Sequence, residues 1–445
     1  MLFKISIVLA ILGAIVGIVT AILFQTGTVE NYVREKFTSK MDRSGISFKA
    51  EKFSLNAFPL RLDLGNAEFL NKKTGQPLFK INSTEVDLSL SDFFAFKTRR
   101  DIAIDSVRVD GIDIFLNFDK DGQSNFSGVE IVEDDDLVKV TYQAANVSVK
   151  NGRLRIGDKV RDIDFDVKEV SIGIDPTKSS DGTSVENKIS LRTGKSSLRF
   201  GDGNLNDISI TLQGLLKKES FDVTNLALNS SAGIFNAKGS LKTFDSPEYS
   251  FEIDSSLDIS TLTRTFAPTN KLDGAGKVRG TVTGKEDKFM FTGTVVTDEL
   301  TSSGFSLKAL DVSAAYEGRG SEYVINGKAV AESLTFGGVK IDLPRLAGMF
   351  RGTGTDFNWV GELEAVAIRT GAGTIGELFL RDATFRSDEK GFEGKSASLD
   401  FKTFARENLL IRGIRASDVK MSSSNGLTDI SVSGEIGRAS CRERV

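Results

Sequence analysis

The sequence predicts a mainly β protein: an N-terminal transmembrane helix and a short amphipathic helix, then an elongated, curved, repetitive β-sheet groove of taco or solenoid type. Three observations lead there. Ile5–Phe24 is twenty residues long and carries no charge. From Ile46 onward, segment after segment alternates apolar and polar residues at period two, and almost none has helical spacing. Part of the chain also repeats itself every 34 residues.

The first segment, 1–25, contains ISIVLAILGAIVGIVTAILF. At 1.5 Å per residue it reaches about 30 Å, the thickness of a bilayer core. It is longer than the apolar core of a cleaved signal peptide, and QTGTVENYV after it offers no small-x-small cleavage site. Ile5, Leu9, Leu12, Ile15, Val19 and Phe24 mark the anchor. Lys4 stands on its short side, and long downstream domains translocate whatever their modest charge. The expectation is therefore a single pass, with the N-terminus cytoplasmic and the body outside. Gly13 and Gly17 form a GxxxG pair able to face another helix. Segment 26–45 follows, with Val29, Tyr32, Val33, Phe37 and Met41 at helical spacing. This helix is expected to cap the open end of the first sheet, with the membrane surface as the alternative.

Segment 46–135 reads as a first β unit. In Ser83–Leu90, Val86, Leu88 and Leu90 share one face, and Glu85, Asp87 and Ser89 share the other. Ile102–Phe118, IAIDSVRVDGIDIFLNF, alternates in the same way on both sides of Asp110-Gly111, which reads as a hairpin turn. Ile102, Ile104, Ile112, Ile114, Leu116 and Phe118 then line one apolar face. They are candidate groove residues, with packing inside a closed sandwich as the alternative. The acidic run Glu133–Asp136 is expected to end this unit, with a charged loop tip as the alternative. Segment 136–435 reads as repetitive β structure. Gly293 and Gly327, Leu300 and Leu334, and Gly304 and Gly338 stand 34 apart, and Gly361 and Ile368 continue the register. The alternation excludes the helical repeats that share this period; each unit reads as two or three strands stacked on the next.

Composition narrows the function. The net charge is -4, which disfavours a nucleic-acid partner. The chain has no His, so the commonest general base and metal ligand is missing and a Ser-His-Asp or Cys-His site cannot form. Phe outnumbers Tyr by 32 to 5, and Phe is the aromatic with no polar handle. Asp119–Asn125 and Gly201–Asp207 look like calcium loops but lack the spacing and closing Glu of one, so they read as turns. The glycine pairs at Gly318 and Gly320 and at Gly352 and Gly354 follow no strand-to-helix turn and bind no phosphate on this reading. Asp162, Asp164 and Asp166 share the solvent face of a strand. No enzyme, cofactor or metal site is expected. Ile436–Val445, which includes the single Cys441, matches the translation of a common sequencing-library adapter. It is expected not to be native, with the natural chain continuing past Glu435.

The order of these elements, and the stretches "G-x-P-L-x-x-I" at Gly75–Ile81, "V-D-L-S-L" at Val86–Leu90, "I-D-S-V-R-V-D-G" at Ile104–Gly111 and "NVSVKNGRLRIGD" at Asn146–Asp158, resemble the AsmA/TamB superfamily of bacterial envelope proteins. The likeness runs over residues 1–435. It implies a protein rooted in the bacterial inner membrane, with its body in the periplasm and a hydrophobic groove that carries phospholipid toward the outer membrane. TamB-like members add an outer-membrane barrel partner and a translocation and assembly role that needs no lipid-filled groove. The resemblance brings no catalytic residues.

Overall fold

A computed structural model describes residues 29–432 apart from 58–59, 89–101, 131–139, 142–144, 180–184, 270, 355, 389–390, 407–408 and 425–426. Among the described residues strands dominate, with two helices, and the chain divides into two compact units, Met1–Ser231 and Ala232–Val445. The acidic run Glu133–Asp136, expected to end the first β unit, is outside the described residues. So are Ile5, Leu9, Leu12, Ile15, Val19 and Phe24. Among the described residues no helix is long and apolar enough to cross a membrane.

In the first unit the helix Val29–Arg43 turns Phe37 and Met41 onto the sheet, where both are buried. The ring of Phe37 meets that of Phe48 edge-on at 4.6 Å. Four strands follow as an antiparallel meander: β1 (Ile46–Ala57), β2 (Leu60–Asn71), β3 (Pro77–Leu88) and β4 (Ile102–Phe118). A two-residue strand, β5 (Val140–Thr141), and β6 (Asn146–Asp158) then pair with β4 in parallel. β7 (Ile163–Lys178) pairs antiparallel with β6. Across from β7 the chain is split into β8 (Val185–Arg192) and β9 (Ser196–Phe200), and both halves pair with β10 (Gly203–Leu216). β11 (Ser220–Ser230) completes the unit.

Asp110-Gly111 is not a hairpin. β4 runs straight through it as one strand of 17 residues. Gly111 has a φ of +68°, and a Cβ there would lie 2.1 Å from Asn82 Nδ2. The left-handed residue serves a bend inside the strand, not a reversal of it. Such bends recur in neighbouring strands. Asn66 (φ 47°), Gly111, Asn151 (52°), Glu169 (51°) and Asp207 (55°) lie at one level, and together they draw a crease across the sheet. At each bend two successive residues face outward, so inward residues fall three apart: Leu64 and Ala67, Val109 and Ile112, Leu205 and Ile208. Non-glycine residues in this conformation cost roughly 1 kcal/mol each. Local bonds fix them: Asn66 Nδ2 donates to Glu51 Oε2 at 2.6 Å, and Asn151 Nδ2 to Asp110 Oδ1 at 2.6 Å.

The core of this unit closes on itself. Of the ten largest fully buried side chains described in the chain, all but Trp359 lie between Phe37 and Ile104. Two buried amides lock the closing loop. Asn125 Nδ2 donates to Pro77 O (2.7 Å) and Phe115 O (2.9 Å), while its Oδ1 accepts from Asn117 N (3.0 Å). Asn71 Nδ2 donates to Asn125 O (2.8 Å) and Ser127 O (2.9 Å).

The second unit is built from β12 (Gly233–Lys242), β13 (Glu248–Asp258), the short helix Ile259–Phe266, β14 (Asp273–Lys285), β15 (Lys288–Ser302), β16 (Phe305–Arg319), β17 (Glu322–Val330), β18 (Ser333–Phe336), β19 (Val339–Asp342), β20 (Arg345–Thr353), β21 (Asp356–Thr370), β22 (Gly373–Asp388), β23 (Gly391–Arg406), β24 (Leu409–Ser424) and β25 (Leu427–Val432). Its pairings are antiparallel throughout. β17 with β18, and β19 with β20, are again strands split at one level, which coincides with Ala309 (φ 47°), Glu377 (52°) and Gly413 (69°). A crease therefore crosses this sheet too.

Candidate functional site

The residues first expected to line a groove lie in a covered place. Ile104, Ile112 and Leu116 are 2%, 5% and 4% exposed, in the core beneath the N-terminal helix, and Ile114 and Phe118 pack against that core. The side chain of Ile102 is outside the described set. These positions belong to the same buried cluster as Phe37, Phe69 and Phe79. A ligand-sized apolar face has to be sought further along.

It is found in the second unit, where antiparallel register sets side chains in files across the strands. One file is bulky: Phe251, Val282, Phe291 and Tyr316 are successive cross-strand partners, and Ile325, Phe350, Trp359 and Phe385 continue it. Two residues along each strand lies a small file: Gly280, Gly293, Ala314, Gly327, Gly348, Gly361 and Ala383. Next to it Val278, Val295, Val312, Ala329, Leu346 and Leu363 make an aliphatic file. Beyond the crease a second aliphatic file joins Leu300, Leu307, Leu334, Ile341, Ile368 and Ile375 to Phe404 and Ile411. The 34-residue repeat is the sum of these files: Gly293, Gly327 and Gly361 occupy one of them, and Leu300, Leu334 and Ile368 another.

The bulky rings lean over the small file. The ring of Phe291 lies against Gly280 and Gly293, and the indole of Trp359 against Gly348 and Gly361, each 2.7–2.9 Å from where a Cβ would stand. Aromatic side chains covering strand glycines are a known device for holding a sheet in register. At the bends, buried hydroxyls take up the backbone carbonyls. Thr297 Oγ1 donates to Glu299 O at 3.1 Å, and Ser396 Oγ to Arg381 O at 2.9 Å and Ser398 O at 2.8 Å.

No Asp, Glu, Lys or Arg stands in any of the four files. Charges keep to the other face, in cross-strand pairs such as Lys238–Glu252 (2.9 Å), Arg279–Asp254 (3.2 Å) and Arg415–Asp400 (2.6 Å). Yet the apolar face is only half covered. Phe251, Phe291, Val295, Val312, Tyr316, Ile325, Leu346 and Phe350 are all intermediate in exposure. Among the described residues 232–432, the buried apolar side chains are six alanines, Leu378 and Trp359. One-sided strands with so little covering them are unusual in a closed domain.

The other motifs resolve into structure. Asp119 Oδ1 accepts from Asp121 N and Gln123 N, both at 2.9 Å, as in an Asx turn. Gly320 and Gly354, with φ of 58° and 61°, form hairpin tips. Asp166 holds Arg153 through two bonds of 2.6 and 2.7 Å. Those bonds, and the charge of the guanidinium, hold the Asp166 carboxyl below its ordinary range against the opposing effect of burial. Asp162 pairs with Arg199 at 2.7 Å. Among the described residues, no three carboxylates, His or Cys gather to hold a metal.

No protein-family model, no curated protein and no solved structure matches the chain.

Proposed function

We propose that this is a non-enzymatic lipid conduit of the AsmA/TamB kind, anchored in the inner membrane, whose β groove carries phospholipid through the periplasm toward the outer membrane. The observation that supports it is the charge-free, half-covered apolar face of residues 232–432, continuous over successive strands, with the short helix Ile259–Phe266 as the one helix of that unit among the described residues. Water against such a face costs about 25 cal/mol for each Å² of apolar surface. Acyl chains would remove that cost without requiring a fixed binding geometry, and a file that repeats from strand to strand offers them the same surroundings at each step. Directed flow needs an energy source that this face does not supply.

A second reading is a scaffold for assembling outer-membrane proteins. The closed core of the first unit favours it, because that part holds itself together with no ligand. Lipid content separates the two. The chain would be purified, washed free of loose lipid and its phospholipid counted by mass spectrometry. Several lipids per chain, lost in Val312→Asp/Leu346→Asp, is the expected result. A folded, lipid-free chain would leave the scaffold. Asp at Ile114 and Leu116 would be no test, since a charge in the closed core would unfold it.

A further inference from the structure

Trp359 is the chain's single tryptophan, and it stands in the bulky file. It stacks on Phe385 at 5.3 Å and tilts against Phe350 at 6.1 Å. Its side chain is 1% exposed, yet its indole Nε1 has no hydrogen-bond partner among the described residues. Among the described residues 232–432 it is the one buried side-chain nitrogen or oxygen in that condition. The donor lies over Gly348, where a Cβ would come within 2.9 Å of Nε1, so the backbone beside it carries no side chain to crowd it. A buried donor left without an acceptor is costly, and native structures keep few of them.

Resting on the conduit reading, we propose that Trp359 is a specificity-determining residue that donates its indole N–H to an ester carbonyl of a diacyl glycerolipid. Tails alone cannot satisfy this donor. The polar atoms that must follow the tails onto a charge-free face are the ester oxygens joined directly to them. The phosphate is not such a group, because none of the four files carries a cation to receive it. The buried hydroxyls of Thr297 and Ser396 on this sheet are already committed to backbone carbonyls. Tyr316 and Tyr323 lie on the same face but are half-exposed, so they carry no such debt. Trp359 would therefore fix where along the face the glycerol end of a lipid pauses, and would select ester-linked over ether-linked chains.

The single tryptophan makes the test direct. The full-length chain, delipidated in a mild detergent, would be titrated with a phosphatidylglycerol brominated in both acyl chains and, separately, with its dialkyl ether counterpart. Bromine quenches indole emission on contact. Both lipids should quench, with the diester binding about five- to tenfold more tightly, as expected for one recovered hydrogen bond. Trp359→Phe keeps a ring against Phe385, and lipid counts by native mass spectrometry should show that it has lost the preference. Equal affinity of the native chain for diester and diether would overturn the role of the indole and leave the conduit standing. Quenching by neither lipid would overturn both.

Discussion

Two Gly→Ala substitutions, ten residues apart, should change stability in opposite directions. At Gly361 a Cβ would stand 2.0 Å from Ala347 O, 2.8 Å from Gly348 Cα and 2.7 Å from Trp359 Cζ2. The first two obstacles are backbone, and no change of rotamer relieves them; β20 and β21 would have to move apart. Overpacking of this kind costs about 1–3 kcal/mol. The stiffer unfolded chain returns about 0.4–1 kcal/mol, so Gly361→Ala should lose roughly 1–2 kcal/mol. At Gly371, in the turn before β22, nothing lies within 4 Å of the Cβ position and φ is outside the left-handed range. Gly371→Ala should gain about 0.4–1 kcal/mol through the unfolded state alone. Urea unfolding followed by far-ultraviolet circular dichroism would measure both, from the shift in midpoint at unchanged slope. If Gly361→Ala is neutral or stabilising, the small file is not the close seam that its geometry describes.

Asn125→Ala strips three hydrogen bonds from a buried loop, those to Pro77 O, Phe115 O and Asn117 N; it should cost about 2–4 kcal/mol by the same urea measurement. Asp166, whose folded pKa lies below its unfolded value, contributes stability that is fully present above the unfolded pKa of about 3.9 and is lost as pH falls through the folded value. Asp166→Asn should therefore lower stability by a near-constant amount between about pH 6 and about 9 and flatten the acid limb of the stability–pH curve; an unchanged acid limb would mean that the Arg153 pair does not set it.

Much of this architecture is legible in the residues, and the misreadings have physical causes. Strand identity follows from period two, as β6 and β7 show. The repeat at Gly293, Gly327 and Gly361 marks one file before any coordinates are known. Its intervening members, Ala314 and Gly348, are hidden because every second strand carries a different sequence in the same register. Asp110-Gly111 misleads because a left-handed glycine serves a bend as readily as a turn. The signal that separates the two is the spacing of three from Val109 to Ile112 with period two resuming on either side, since a hairpin does not keep both halves on one strand. Exposure is the hardest property to read. Ile112 and Val312 sit in equally apolar strands, yet one is buried and the other half-open. The difference lies in whether another layer folds back over the strand, and no local pattern records that.

The crease also decides where the chain tolerates a change of length. Within a strand, removing one residue turns every later side chain to the opposite face, as deleting Ser313 would send Ala314 and Tyr316 into water. At a bend two outward residues stand in succession, Lys308 and Ala309 in β16. Deleting Ala309 leaves Leu307 and Leu310 on the side they already occupy and converts the matched bend into an ordinary one-residue bulge against β15. Insertions and deletions of single residues should thus be frame-preserving along one line of the sheet and frame-breaking on either side of it.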